Sequence, residues 1–343
     1  MKKQFLAFTI AGLTLLQVLA GCSTATKDTG ADSNTGAAQT DTAKTDTASA
    51  SGEIKIGLSM SSRDQFLSTL ETAVLKSAKE ADVTCSSFDA NNDIQQQLNH
   101  VQTCAANGYS AMLVNMVDST NAAEIIAAAQ DMKVVFVNRG PADMSVLNDN
   151  VVYVGSNEND SGRFQGEFLA KYFKDKGMTE ARIVMMQGTL GVDHTNKRTA
   201  SSLKALEDAG IKVTVVYQDT ADYDRAKAMD KFTQYLGKGE EFDAVICNND
   251  DMALGCIEAY KASGVTQIPV PIVGIDATKN GCEAMQAGDL AFTVFQNPTG
   301  QGEGAIKCAL ALVKSEPIEG LQEHILWIPF EPVVPADVEK YMS

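Results

Sequence analysis

Residues 54–89 read IKIGLSMSSRDQFLSTLETAVLKSAKEADVTCSSFD, and the fold is decided there. Ile54–Met60 is a short run rich in β-branched and apolar residues. It is followed by Leu67–Ala81, in which Leu67, Leu70, Val74, Ala78 and Ala81 recur at spacings of three and four, the signature of a helix with one buried face. A second β-rich run, Val83–Asp89, comes directly after. Strand, helix and strand at this spacing predict a parallel pair with a crossover helix, which needs cover on both faces of its sheet.

The same rhythm continues along the chain. Further strands are predicted at Ala111–Asn115, Val134–Asn138 and Val151–Val154, and a second series at Arg182–Gln187, Lys212–Gln218, Ala244–Asn248, Pro271–Asp276 and Ala291–Gln296. Helical stretches separate them at Ile94–Asn107, Asn121–Asp131, Gly162–Lys176 and Lys197–Ala209, and Gly108, Gly177, Gly210 and Gly264 sit just past helix ends, where a left-handed cap favours glycine. Two such series predict an α/β protein of two doubly wound parallel-sheet domains. In such folds ligands bind beyond the carboxyl ends of the strands, so function is read from the residues that follow each strand.

Those residues are polar. The first series delivers Ser61, Ser62, Arg63, Asp64 and Phe66, then Asn115, then Asn138 and Arg139; the second delivers Asp193, His194 and Arg198, then Asp222 and Tyr223, then Asn248, Asn249 and Asp250, then Asp276 and Gln296. Any one of them reads as a solvated loop residue or a helix cap, and Asp118 before Ser119 and Thr120 is read as a cap. Together they pair donors with acceptors, which suits a polyol, because each hydroxyl both donates and accepts. Phe66 and Tyr223 offer rings on which the apolar face of a sugar or cyclitol stacks. Two positive charges, Arg139 and Arg198, set against two negative ones, Asp64 and Asp276, favour a neutral ligand.

Several segments resemble the ribose/galactose-type periplasmic sugar-binding proteins. These are Ile56-Gly57-Leu58-Ser59-Met60 with Asp64-Gln65-Phe66, Val154-Gly155-Ser156-Asn157 with Gly166, Cys247 through Gly255 with its Asn-Asn-Asp-Asp-Met-Ala core, and Val273-Gly274-Ile275-Asp276. The resemblance runs from about Glu53 to the C-terminus. It implies a type I periplasmic binding protein fold: two lobes joined by a three-strand hinge that close on one sugar and present it to an ABC permease. The implied lobes are 53–155 plus 298–327 and 156–297 plus 328–343, with crossings near Gly155–Asp160, Gln296–Gly300 and Ile328–Pro332. The implied ligand contacts are Asp64, Phe66, Asn138, Arg139, Arg198, Tyr223, Asn249, Asp276 and Gln296; His194 falls on a further contact position, either touching ligand or rimming the cleft. Where the galactose branch carries a calcium loop this chain has Lys174-Asp175-Lys176-Gly177-Met178, so no metal is expected. The expected ligand is a neutral monosaccharide or polyol of the ribose, galactose, glucose or inositol class. A nucleoside or autoinducer-type sugar, or a sugar-sensing role beside a signalling receptor, is the alternative.

The N-terminal residues point to the compartment. Lys2 and Lys3 precede an apolar run from Phe5 to Leu19, and Leu19-Ala20-Gly21-Cys22 resembles a lipoprotein cleavage box, so residues 1–22 are read as a lipoprotein signal peptide with Cys22 as the lipidated residue. Residues 23–52, mostly Thr, Ala, Ser, Asp and Gly, are read as a disordered tether. The expected location is extracytoplasmic, lipid-anchored to the cell membrane. With 343 residues, 44% hydrophobic content and a net charge of −16, the chain has ample core and an acidic balance that excludes nucleic acid as a partner. A monomer is expected. No Gly-x-Ser-x-Gly elbow and no Cys/His pair with an orienting acid is present, and only His100, His194 and His324 are available as histidine bases, so neither enzymatic activity nor a cofactor is expected. The six cysteines after Cys22 read as small buried hydrophobes, with a Cys85–Cys104 disulfide left open.

Overall fold

The computed structural model describes residues 53–342. The signal peptide, Cys22 and the tether therefore lie outside the described residues. Twelve strands and nine α-helices alternate through the described part. In chain order they are β1 (Lys55–Met60), α1 (Gln65–Glu80), β2 (Thr84–Asp89), α2 (Ile94–Ala106), β3 (Ala111–Val114), α3 (Ala122–Ala129), β4 (Lys133–Val137), β5 (Val151–Gly155), α4 (Glu158–Asp175), β6 (Glu180–Gln187) and α5 (Asp193–Asp208). They continue with β7 (Lys212–Thr220), α6 (Arg225–Leu236), β8 (Ala244–Cys247), α7 (Asp250–Ala262), β9 (Ile272–Val273), α8 (Lys279–Gln286), β10 (Thr293–Phe295), α9 (Pro298–Lys314), β11 (Ile325–Trp327) and β12 (Glu331–Val333).

The first sheet runs β11-β5-β4-β3-β1-β2, all parallel. One face is covered by α1 and α9, with Leu58, Leu70, Val74 and Ile306 in the core; the other is covered by α2 and α3, with Val101, Met112, Ile125 and Phe136. The second sheet runs β7-β6-β8-β9, and bridges Val273–Phe292 and Asp276–Phe295 carry it on to β10 and its antiparallel partner β12. Helices α6, α7 and α8 cover one face and α4 and α5 the other. The fold is thus the doubly wound pair expected from the alternation. The chain passes between the sheets three times: between β5 and α4, between β10 and α9, and between β11 and β12.

Local chemistry explains the element ends. Asp64, Asp93, Asp224, Asn249, Thr278 and Asn297 each accept a backbone N–H from the first turn of the helix they precede, and Asp118 caps a short 3₁₀ turn in the same way. The four glycines beyond helix ends all have φ between +70° and +86°. Strand β9 is shorter than the expected Pro271–Asp276: it ends at Val273, Asp276 keeps only its single bridge to Phe295, and φ +120° at Asp276 and +50° at Ala277 then turn the chain toward α8. Strands β11 and β12 were not anticipated; each has only three residues, and in antiparallel β12 Pro332 interrupts the alternating pattern that marks a strand.

Candidate functional site

Asp64, Phe66, Asn138, Arg139, His194, Arg198, Tyr223, Asn249, Asp276 and Gln296 line one cavity of about 260 Å³, joined there by Leu67. The four residues up to Arg139 come from the ends of β1 and β4; the other six come from α5 and from the segments after β7, β8, β9 and β10. The two sets face each other, with the Arg139 guanidinium 5.6 Å from the Tyr223 ring centroid and the Asp193 backbone N–H donating to Ser119 Oγ across the rim at 3.4 Å. Strained backbone aims several of them. Asn138 (φ +63°), Tyr223 (φ +62°) and Asp276 (φ +120°) are held in conformations that side chains rarely adopt, a cost that surrounding contacts must over-determine.

Beneath the β1 and β4 ends lies an amide network. Asn115 Oδ1 accepts from Ser61 Oγ at 2.6 Å, and its Nδ2 donates to Asn138 Oδ1 at 3.1 Å and Val137 O at 3.2 Å. Gln97 continues it, donating to Asn115 O at 2.9 Å and accepting from Val117 N at 2.9 Å. Asp64 spends Oδ1 on the Leu67 N–H at 2.7 Å. Among the described residues Arg139 makes no side-chain hydrogen bond to a protein group, and its Nη1 is buried without a partner.

The other half of the cavity is built on ions. Arg198 Nε donates to Glu158 Oε2 at 2.7 Å, Nη2 to Gln296 Oε1 at 2.8 Å and to Glu158 Oε1 at 3.3 Å, and Nη1 to the Asn248 carbonyl at 2.7 Å. Its Nη1 lies 3.9 Å from Asp276 Oδ1, too far for a hydrogen bond. The Tyr223 hydroxyl is hydrogen-bonded to Thr195 Oγ1 at 2.6 Å, which anchors the far end of its ring. Behind the cavity Asp250 accepts from Thr293 Oγ1 at 2.6 Å and Thr278 N at 2.9 Å.

Burial governs protonation here. It pushes the Asp276 carboxyl well above the usual carboxylate range, against the pull of Arg198 and with help from Asp250 and Asp64; it also raises Asp64, opposed by the Leu67 N–H and Arg139. Asp250 is pushed up to about 7 by burial, despite its threonine bonds. Burial and the neighbouring Arg198 and Arg139 drive His194 well below its ordinary value, so the ring is neutral. For Arg198, burial works against the charge, but Glu158, Tyr223 and Asp276 outweigh it and hold the guanidinium above its ordinary value.

Other strand-end residues stand away from the cavity. Arg63 turns to Glu71 and Asp89, at 2.7 and 2.8 Å, Asp222 pairs with Lys227, Asp193 with Lys197, and Asn115, Asn248 and Asp250 lie behind the lining. Glu158 was missed: as an acid in the first turn of a helix it reads as dipole complement, and it makes the balance two guanidinium groups against three carboxylates. Leu67 is apolar and carries no signal. At the segment 174–178 Asp175 pairs with Lys171, Lys176 lies over the Tyr172 ring, and among the described residues no cluster of His, Cys, Asp or Glu is arranged to hold a metal. Cys85 and Cys104 are both free thiols.

Two lobes linked by three crossings and closing on a polar cavity define a substrate-binding protein. Residues 56–317 match the periplasmic binding protein domain, and the chain belongs to that family. It is 37% identical over 284 residues to a putative rhizopine-binding protein of Rhizobium meliloti, covering 82% of this chain and 89% of that one. The D-galactose/methyl-galactoside binding periplasmic protein of Haemophilus influenzae is 29% identical, covering 78% and 85%. Among solved structures, an ABC transporter solute binding protein from Bacillus halodurans with bound myo-inositol is 35% identical and superposes with a TM-score of 0.77 over 85% of this chain and 98% of that one. The family consists of extracytoplasmic substrate-binding proteins, which hold their ligands without transforming them.

Proposed function

We propose that the protein captures a neutral polyol, a cyclitol or a monosaccharide, in the cavity between its lobes and hands it to an ABC permease. One observation carries this reading: carboxylates from both halves, Asp64 and Asp276, line one cavity together with amides and the unpartnered Arg139. Ring hydroxyls supply a donor to each carboxylate and an acceptor to the guanidinium, and they leave no buried charge uncompensated. Three carboxylates against two guanidinium groups disfavour phosphorylated and acidic sugars. The myo-inositol held by the Bacillus halodurans relative puts cyclitols first among the candidates.

In this reading the ten lining residues named above are the ligand contacts, the lobes 53–155 plus 298–327 and 156–297 plus 328–343 are the moving bodies, and Cys22 carries the lipid that tethers a monomer to the membrane. Titration calorimetry against myo-inositol, ribose, galactose, glucose and a set of nucleosides tests it. A cyclitol or monosaccharide is expected to bind with Kd of about 1 μM or tighter. Binding of nucleosides alone overturns it.

A further inference from the structure

Beside the cavity runs a second hollow, a solvent-open groove of about 1170 Å³ against about 260 Å³ for the cavity itself. Phe66, Asp276 and Gln296 line both spaces, so these three side chains are the partition between them. Phe66 comes from α1, which covers the first sheet, whereas Asp276 and Gln296 follow β9 and β10 of the second half. The partition is therefore a seam of side chains from the two halves. Gln296 is tied to Arg198 Nη2 at 2.8 Å, and Phe66 is packed in the core of the first half. The Asp276 carboxylate is the loose member: Arg198 Nη1 stands 3.9 Å away, and among the described residues no hydrogen bond holds it. A substituent that leaves the cavity beside Asp276 displaces no hydrogen bond of that carboxylate.

The far side of the partition is furnished for a sugar. Phe295 and Tyr341 are half-buried in the groove wall, their ring centroids 4.9 Å apart and their planes tilted by 45°. The Tyr341 hydroxyl is anchored to Glu331 Oε2 at 2.9 Å. Gln65, in the same wall, keeps its amide oxygen buried without a partner. Charge does not decide what the groove holds. Helices α1, α8 and α9 all begin at it, but Asp64, Thr278 and Asn297 already cap their first turns. Lys340 is paired with Asp337, and Lys279 is offset by Asp276. Two aromatic rings and an unfilled acceptor remain. They suit a neutral sugar ring, whose apolar face stacks and whose hydroxyls donate.

We propose that the groove is a second subsite and that the protein accepts a glycosylated ring. The parent polyol occupies the cavity, and a further sugar ring, linked to it past Asp276, lies in the groove against Tyr341 and Phe295 with a hydroxyl on the Gln65 amide oxygen. This rests on the polyol-binding reading above. The rival account is a water-filled seam with no part in binding. Tyr341→Ala removes the stacking surface, and Gln65→Leu removes the acceptor at similar volume. Neither residue lines the cavity.

The test is titration calorimetry on the purified protein and the two variants. The probes are glucose, galactose and myo-inositol, each beside derivatives that carry one further glucosyl or galactosyl unit on each ring oxygen in turn. At least one derivative is expected to bind the wild type within about tenfold of its parent ring, or more tightly. Tyr341→Ala and Gln65→Leu are each expected to weaken that derivative about fivefold and to leave the parent within about twofold. Parent rings that bind while every derivative is rejected overturn the subsite. So does a derivative that loses no more affinity than its parent in both variants. If Tyr341→Ala does not fold, Gln65→Leu decides by the same criterion. A wild type that binds neither parents nor derivatives overturns the polyol reading itself, a result distinct from parents that bind alone.

Discussion

The two arginines of the cavity are equally buried, each at 4% exposure, and oppositely provided for. Arg198 spends donors on Glu158, Gln296 and the Asn248 carbonyl before any ligand arrives. Arg139 has the π-face of Tyr223 at 5.6 Å and an Nη1 without a partner. The contrast extends to their lobes. The β1–β5 half rests on neutral amides, Asn115 and Gln97, whereas the β6–β10 half rests on Glu158, Asp276 and Asp250. One half is preorganised by charge. The other half holds a buried donor that no protein group among the described residues satisfies.

Arg198→Ala breaks the comparison most severely. It removes a ligand contact and strands Glu158 as a buried, unpaired carboxylate, so stability is expected to fall by roughly 3–5 kcal/mol and binding to vanish from calorimetry. Arg139→Ala is the counterpart. Binding is expected to weaken by roughly 100-fold or more, with stability within about 1 kcal/mol of wild type, because no protein hydrogen bond is lost. Chemical denaturation of the two ligand-free variants separates them; equal destabilisation would erase the distinction between the halves.

How much of this was legible in the sequence follows from the geometry of the fold. A parallel sheet places all its carboxyl ends on one edge, so naming the residue after each strand names the lining of the cavity, and the ten residues from Asp64 to Gln296 fall there together. Position along an edge does not reveal where a side chain turns. Arg63 follows the same strand as Asp64 yet leaves for Glu71 and Asp89, and Asn115 points beneath the lining to Ser61. Glu158 was invisible for the opposite reason. It follows a crossing rather than entering the cavity, and its role exists only because α4 and α5, joined by a strand and two turns, pack at glycine distance.

The buried carboxylates also predict a pH dependence, strongest in the ionic half and shared by Asp64 in the amide half. Asp250 is fully buried and its carboxyl is raised from 3.8 to about 7, so the folded protein binds a proton that the unfolded chain has already released within that window. A raised folded-state value means stability is fully present below about 4 and is lost as pH climbs toward about 7. The melting temperature of the ligand-free protein is expected to decline across that range, and Asp250→Asn to flatten the decline. Ligand hydroxyls act in the opposite sense on Asp276 and Asp64. By donating to the ionised carboxylates they lower the raised values, so binding is expected to release protons and to tighten as pH rises. Calorimetry in buffers of different ionisation enthalpy detects that release; proton uptake would contradict it.

The smallest effect is expected from the amide network, where the comparison is sharpened rather than broken. Asn115→Ala removes the support of Asn138 and the acceptor for Ser61 Oγ, leaving buried groups that cost roughly 1–3 kcal/mol in stability. Asn138 stays anchored, because its N–H donates to Val154 O at 2.9 Å and its carbonyl accepts the Tyr153 hydroxyl at 2.7 Å. Its side chain gains only rotamer freedom, worth about 0.5–1.5 kcal/mol when a ligand immobilises it again, so affinity is expected to fall by no more than about tenfold. The amide layer therefore sets stability more than recognition, the reverse of Arg139 directly above it. A loss of affinity in Asn115→Ala as large as that in Arg139→Ala would show that this half, too, is preorganised from beneath.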